Sequence, residues 1–267
     1  MFSLPGLWYI CRKSVLGIKS ENYLLEKSMK LAVLLSLMFV AFGVPFTSYA
    51  ELKQYTAKDL DMSDLVDVKD KKKRFFDFMR LIVNDENNKV LALRKKLEAA
   101  KKKNNKQSFV AKTADDYSVD WQAGKENWGK LLERVDAVAL ELVLAQSANE
   151  SAWGQSRFAT QGDNFFGQWC YKKGCGIVPK KRDKGTRHEV AKFSSVNKSV
   201  RSYLKNINTG RVYSPLRQVR KKNRAAGKKS DAIAQAGGLI KYSQRREAYV
   251  KEIRSMIRYN KKLMLGQ

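Results

Sequence analysis

The run from Val138 to Ala145 constrains this chain most. Val138, Leu140, Leu142, Val143, Leu144 and Ala145 leave almost no polar face at helical spacing. A helix apolar nearly all round belongs inside a globular core. Asp136 stands where its side chain can cap the first turn, and Gly154 is placed to stop the helix in the left-handed conformation. Gln146, Ser147, Asn149 and Glu150 break the apolar pattern together in the last turn, so these polar groups are expected to face a cleft or solvent.

Glu150 is the carboxylate at the end of this run. The C-terminal end of a helix carries the negative end of the backbone dipole, and apolar neighbours add a desolvation penalty. Both disfavour the ionised form, so the sequence predicts a raised pKa for Glu150. A carboxyl that holds its proton near neutral pH suits a general acid. Beyond the helix come Trp153, Phe158, Phe165, Phe166 and Trp169 in a turn-rich segment. Flat rings beside one acid fit protonation of a glycosidic oxygen while a sugar chain lies on aromatic faces. Trp153 and Trp169 are the candidate stacking rings; either could instead fill core space.

The strings AQSANESAWGQSRFA and GDNFFGQWC, residues 145–159 and 162–170, resemble the core motif of glycoside hydrolase family 73, the peptidoglycan N-acetylglucosaminidases. WCYKKGCGIVP and the basic C-terminal region resemble the Bax-type bacterial members of that family. The similarity runs from about Ala123 to Asn260. It implies a lysozyme-like fold of the α+β class, mostly helical, with a small β-hairpin lobe and a helical N-terminal segment before it. The family's catalytic acid falls on Glu150. Its Asn-Leu-Phe-Gly motif falls on Asn164, Phe165, Phe166 and Gly167, with Phe165 where Leu or Trp is more usual. A second carboxylate of the family falls on Glu189, and a tyrosine lining the site falls on Tyr242.

Three mechanisms are open on these residues. Two carboxylates can work by inversion or by retention, depending on whether they stand roughly 6.5–9.5 Å or about 5 Å apart. A third route needs one protein acid, because the N-acetyl group of the sugar attacks its own anomeric carbon. Glu150 is required in each. The expected activity is cleavage of the β-1,4 bond after N-acetylglucosamine. A lytic transglycosylase or muramidase on the same fold is the alternative enzyme, and a basic wall-binding protein without catalysis is the alternative class.

Export is expected from Met29-Lys30, the apolar run Leu31 to Val44, Gly43 and Pro45, and Ser48-Tyr49-Ala50. This is the build of a signal peptide cleaved after Ala50; the apolar run falls short of the about twenty residues a span needs. Residues 1–28 read as an upstream extension. Of three cysteines, Cys11 precedes the leader, and Cys170 and Cys175 remain as an even pair, which in an exported chain reads as a disulfide. With His188 as the lone histidine, a structural zinc site is short of a ligand, so no metal or cofactor is expected. The net charge of +27 favours polyanions. In the periplasm or envelope these are anionic envelope polymers and peptidoglycan strands, with no nucleic acid expected. A monomer is expected.

Residues 51–112 read as a helical N-terminal segment and linker, and 113–264 as the catalytic domain. Lys69 to Lys103 carries Phe75, Phe78, Met79, Ile82 and Val83 at helical spacing, repeated by Val90, Leu91, Leu93 and Leu97. Lys101 to Gln107 reads as an exposed turn. Gly174 to Phe193 reads as the β-hairpin lobe, Ser195 to Leu204 as the start of a helix, and Ala232 to Ile240 and Glu247 to Met264 as closing helices. Arg217 to Lys229 is strongly basic and reads as a solvated face open to anionic polymers.

Overall fold

The computed structural model describes residues 53–104, 108–180, 182 and 185–267. The expected extension and signal peptide, and residues 105–107 of the basic turn, lie outside the described residues. Helix α1, Val68–Lys102, is one unbroken helix of 35 residues. Asp67 caps it by accepting from the N–H groups of Lys69 and Asp70. Its buried stripe is Phe75, Phe76, Met79, Ile82 and Val83, at the three- and four-residue spacing of one helical face. Phe78 is half-buried beside this stripe, and Phe76 takes the inner place.

Further along, Leu97 and Ala100 of α1 join α2 (Ser108–Asp116) and α3 (Trp128–Arg134) in a smaller cluster with Tyr117, Val119 and Val135. Trp121 and Trp128 meet edge to face at its margin, 4.9 Å apart. The boundary expected at residue 112 falls within α2.

Helix α4, Leu140–Ser151, is the predicted apolar helix. It packs against α1 and two C-terminal helices, α8 (Ala232–Ala236) and α9 (Arg246–Leu265). Each fully buried Leu or Phe in this core contributes about 1.5–3 kcal/mol. The entry to α4 is clipped rather than capped. Asn87 of α1 exchanges two hydrogen bonds with the backbone of Val138, at 2.9 and 3.1 Å.

Asp136 does not cap α4. Ala139 holds the N-cap position without a side-chain bond, because the Asp136 carboxylate is held by arginines. Arg224 donates to both of its oxygens, and Arg94 and Arg220 each stand 3.6 Å from it. The reading of the basic run as a solvated face holds for Lys221, Lys222, Arg224, Lys228 and Lys229, which are exposed, and fails for two of its arginines. Helix α6 (Val196–Thr209) leads through a 3-10 turn at Arg211–Tyr213 into α7, Ser214–Ala225. From α7, Arg217 and Arg220 turn inward and are 1% and 4% exposed. Arg217 donates to the carbonyls of Ile207 and Gly210 and pairs with Glu133. Arg220 donates to the carbonyls of Glu133, Asp136 and Ala137 and to Asn208 Oδ1.

A short helix, α5 (Arg157–Gly162), occupies part of the segment expected to be turns. Ser156 caps it by accepting from Ala159 N–H. Three short strands follow: β1 (Trp169–Cys170), β2 (Gly176–Ile177) and β3 (Glu189–Ala191). They pair antiparallel in the order β1-β3-β2, with Trp169 and Ile177 both opposite Val190. The expected hairpin is β2–β3, and β1 adds a third strand. Gly176 permits this approach, since a Cβ there would lie 2.0 Å from the carbonyl oxygen of Val190. The result is the expected mostly helical α+β architecture.

Candidate active site

The end of α4 is shaped by backbone handedness. Ala152, Trp153 and Gly154 have φ of 49°, 59° and 81° in succession. The helix therefore stops at Ala152, two residues before the expected glycine. Trp153 N–H returns to the carbonyl of Ala148 at 2.9 Å, the 6→1 bond of a left-handed helix stop. Two non-glycine residues held there carry steric strain. The reversal leaves Glu150 half-buried in the last turn of α4.

Tyr249 of α9 donates its hydroxyl to Glu150 Oε1 at 2.8 Å. Burial pushes the Glu150 carboxyl above its ordinary pKa, and Glu252 nearby adds to this. Hydrogen bonds from Tyr249 and Asn149, and the charge of Arg245, oppose it without cancelling it. Arg245 and Glu252 pair with each other at 2.7 Å. The raised pKa expected from sequence is therefore present, with desolvation as its main cause.

Of the other polar groups expected at a cleft or in solvent, Asn149 is half-buried, and Gln146 and Ser147 turn inward. Gln146, Ser147 and Ser151 are fully buried. Gln146 Nε2 donates to Tyr249 Oη at 2.9 Å, and Gln146 Oε1 accepts from Tyr203 Oη. Tyr242 stacks on Tyr249 with centroids 5.3 Å apart and planes 14° apart. Its hydroxyl donates to the Phe166 carbonyl at 3.4 Å. Burial raises the pKa of Tyr203, Tyr242 and Tyr249, so all three are neutral donors at working pH.

The expected substrate-facing residues divide into two groups. Phe165 is fully buried and stacks on Phe75 at 6.4 Å. Phe166 stacks on Tyr203 at 4.1 Å. Asn164 is buried with its amide fully used: Nδ2 donates to the carbonyls of Gln168 and Ala191, and Oδ1 accepts from the N–H groups of Phe166 and Gln168. These three are buried, and Asn164 ties them to β3 through the Ala191 carbonyl. Gly167 has φ of 62° and open space where a side chain would project. Trp153 packs edge-on against Phe75 and Phe76 at 5.5 and 5.3 Å, with Lys72 Nζ 5.4 Å from its ring. Trp169 is 57% exposed, and its ring stacks on His188 at 3.9 Å.

Glu189 is on β3, and its two oxygens accept from Gly174 N–H at 3.0 Å and Gly176 N–H at 2.8 Å. Those backbone donors hold its carboxyl below the ordinary pKa. Cys170 and Cys175 form a disulfide beneath it. The two sulfurs and a Glu189 oxygen lie within 4.8 Å of one another. The disulfide removes both thiolates as ligands, so this trio is not a metal site. A groove of about 540 Å³ elsewhere is lined by Glu86, Tyr117, Arg201 and Lys205 among others, and Glu150 is not among its lining residues.

Sequence reasoning missed Tyr249, Tyr203 and the inward role of Gln146. The signal available was the four-residue spacing of Gln146 and Glu150, which stacks them on one face of α4.

The family model named Glucosaminidase, described as mannosyl-glycoprotein endo-beta-N-acetylglucosaminidase, matches residues 125–262. Protein bax of Escherichia coli (strain K12) is 35% identical over 150 residues, covering 55% of this chain and 53% of its own length. The chain thus spans about half the length of that curated relative. No solved structure matches. Matched over half its length by that model, the chain belongs to the glucosaminidase family, a family of glycoside hydrolases.

Proposed function

We propose that this chain is an exported peptidoglycan hydrolase that cleaves the β-1,4 bond after N-acetylglucosamine, with Glu150 as general acid. One observation carries the reading: Glu150 sits half-buried at the end of an apolar helix, with burial raising its pKa and Tyr249 fixing one oxygen. Burial makes this acid hold its proton more firmly than an ordinary carboxyl, and its position lets it deliver that proton to the departing glycosidic oxygen. The exposed ring of Trp169 offers a face for a sugar residue. The family description supplies the class of bond. The leader-like residues 29–50 and the Cys170–Cys175 bond support an oxidising compartment.

The Glu189 carboxylate is committed to two backbone donors and carries a lowered pKa. It is a poor base in that state, and its role in this reading is to hold the β-hairpin. The acetamido group of the substrate then takes the part of the nucleophile, and water opens the resulting oxazoline. Glu150 protonates the leaving oxygen and takes a proton from that water.

Turbidity clearing of purified peptidoglycan sacculi tests the acid. Glu150→Gln is expected to lose at least about a hundredfold in rate, the scale of general acid catalysis, while still binding sacculi in a pelleting assay. Full activity in that variant refutes the assignment. Borohydride reduction followed by mass analysis reads the new reducing end. Reduced N-acetylglucosamine supports the proposed bond, and reduced muramic acid or an anhydro product replaces it with the muramidase or transglycosylase alternative. Glu189→Gln is expected to retain most of kcat; a loss as deep as that of Glu150→Gln returns Glu189 to the reaction.

A further inference from the structure

The hydrogen bonds behind Glu150 run in one direction. Tyr203 Oη donates to Gln146 Oε1. Gln146 Nε2 donates to Tyr249 Oη at 2.9 Å. Tyr249 Oη donates to Glu150 Oε1 at 2.8 Å. The side chains come from three helices: Tyr203 from α6, Gln146 and Glu150 from α4, and Tyr249 from α9. Tyr203, Gln146 and Tyr249 are each at most 2% exposed.

Each link constrains the next. A buried tyrosine hydroxyl has one proton and must spend it. Tyr203 gives its proton to the amide oxygen, which fixes which way the Gln146 amide points. The amide nitrogen then faces Tyr249 and can only donate. With a donor already at its oxygen, Tyr249 turns its own proton away from Gln146 and towards Glu150. Oε1 of Glu150 is occupied by that donor, so a proton bound to the carboxyl resides on Oε2.

We propose that Tyr203, Gln146 and Tyr249 act together as positioning residues, a directional relay that assigns the transferable proton to Oε2 of Glu150. The inference rests on the reading of Glu150 as the acid. Tyr203 is the remote member, and it works only through the two links between it and the acid. The aromatic packing keeps the relay dry: Phe166 lies on Tyr203, and Tyr242 lies on Tyr249. The charged and titratable groups around Glu150 are Tyr249, Tyr242, Tyr203, Glu252 and Arg245, with Asn149 as a further hydrogen-bond partner.

The test is a double-mutant cycle on the full chain, reading kcat, KM and the alkaline limb of the rate profile on sacculi. Tyr249→Phe removes a donor that favours the ionised carboxylate, so the alkaline limb moves to higher pH. Its kcat is expected to fall about tenfold or more, the worth of one charge-assisted hydrogen bond, with KM within about twofold. Tyr203→Phe is expected to shift kcat and the limb in the same direction by less. The pair combined is expected to be no more than about twofold worse than Tyr249→Phe alone, since the hydrogen bonds from Tyr203 to the acid pass through Gln146 and Tyr249. Tyr213→Phe, beside Tyr242 but outside the relay, is expected to leave the limb in place.

Multiplicative losses in kcat, or an unmoved limb in Tyr249→Phe, overturn the relay. If Tyr203→Phe does not fold by circular dichroism, the limb of Tyr249→Phe decides alone. Glu150→Gln run in parallel separates the failures. An inactive Glu150→Gln with wild-type-like tyrosine variants sinks the relay only, and an active Glu150→Gln sinks the acid assignment itself.

Discussion

Arg220→Met removes the guanidinium that holds the lead into α4 while keeping a side chain of similar reach. Arg220 is 4% exposed and donates to the carbonyls of Glu133, Asp136 and Ala137 and to Asn208 Oδ1, at 2.7–3.1 Å. After substitution Asp136 O keeps a donor, because Asn208 Nδ2 still reaches it at 2.9 Å. The Asp136 carboxylate keeps Arg224. The carbonyls of Glu133 and Ala137 and the Oδ1 of Asn208 lose their Arg220 donor, and each acceptor left buried without a partner costs about 1–3 kcal/mol. Against this stands the relief of a buried cation, whose pKa burial and neighbouring arginines have pushed down to about 10. Breaking one side of such a network typically costs about 3–5 kcal/mol. For a folded unit of this size that lowers Tm by roughly 10 °C, at about 2–4 °C per kcal/mol. Urea unfolding followed by tryptophan fluorescence measures it, with the exposed Arg211→Ala as a control expected within about 0.5 kcal/mol of wild type. If Arg220→Met unfolds within about 1 kcal/mol of the parent protein, the basic run is not a structural hub and the argument fails.

Other expectations follow from single features. Glu150 has a raised folded pKa, so its ionisation costs stability as pH rises past the ordinary carboxylate value, and the cost is complete above the folded pKa. Glu150→Gln is therefore expected to unfold at higher urea than wild type at neutral pH, and at the same urea once both states are protonated; the reverse order contradicts the burial argument. Ala152 is exposed with φ of 49° and ψ of 51°, where a Cβ costs roughly 1–2 kcal/mol. Ala152→Gly is expected to raise the urea midpoint by the part of this that survives glycine's entropy, up to about 1 kcal/mol, and a lowered midpoint would show that Ala152 is unstrained. Phe165→Ala is expected to cost about 3–5 kcal/mol of stability. Trp169→Ala is expected to leave Tm alone and raise KM for sacculi, and a fall in Tm from Trp169→Ala would place that ring in the fold instead.

What could be read from the residues was what period and chemistry expose. The apolar run fixed α4, and the dipole with apolar neighbours gave the direction of the Glu150 shift. The stripe on α1 was legible for the same reason. Long-range partners were not. Arg217, Arg220 and Arg224 share one face of α7 by their spacing, yet a basic run gives no sign that Glu133 and Asp136 lie opposite. That hidden pairing also explains why Asp136 was free to look like a cap. Strands of two or three residues carry no period, so β1 left no trace. The motif around Asn164 read as substrate-facing because conserved-looking chemistry and fully satisfied structural chemistry use the same side chains. Only the bond partners show that Asn164 has nothing left to offer a sugar.

The placement of α1 bears on how this enzyme family is trimmed for study. The matched segment starts at residue 125, beyond the end of α1 at Lys102. Yet Phe75 and Phe76 from α1 brace the ring of Trp153, three residues past Glu150, and Asn87 latches the backbone where α4 begins. A fragment cut at the edge of the recognisable stretch would leave its central helix with one flank wet. Kinship and self-assembly draw different borders on this chain, and the wider border is the one a protein chemist should clone.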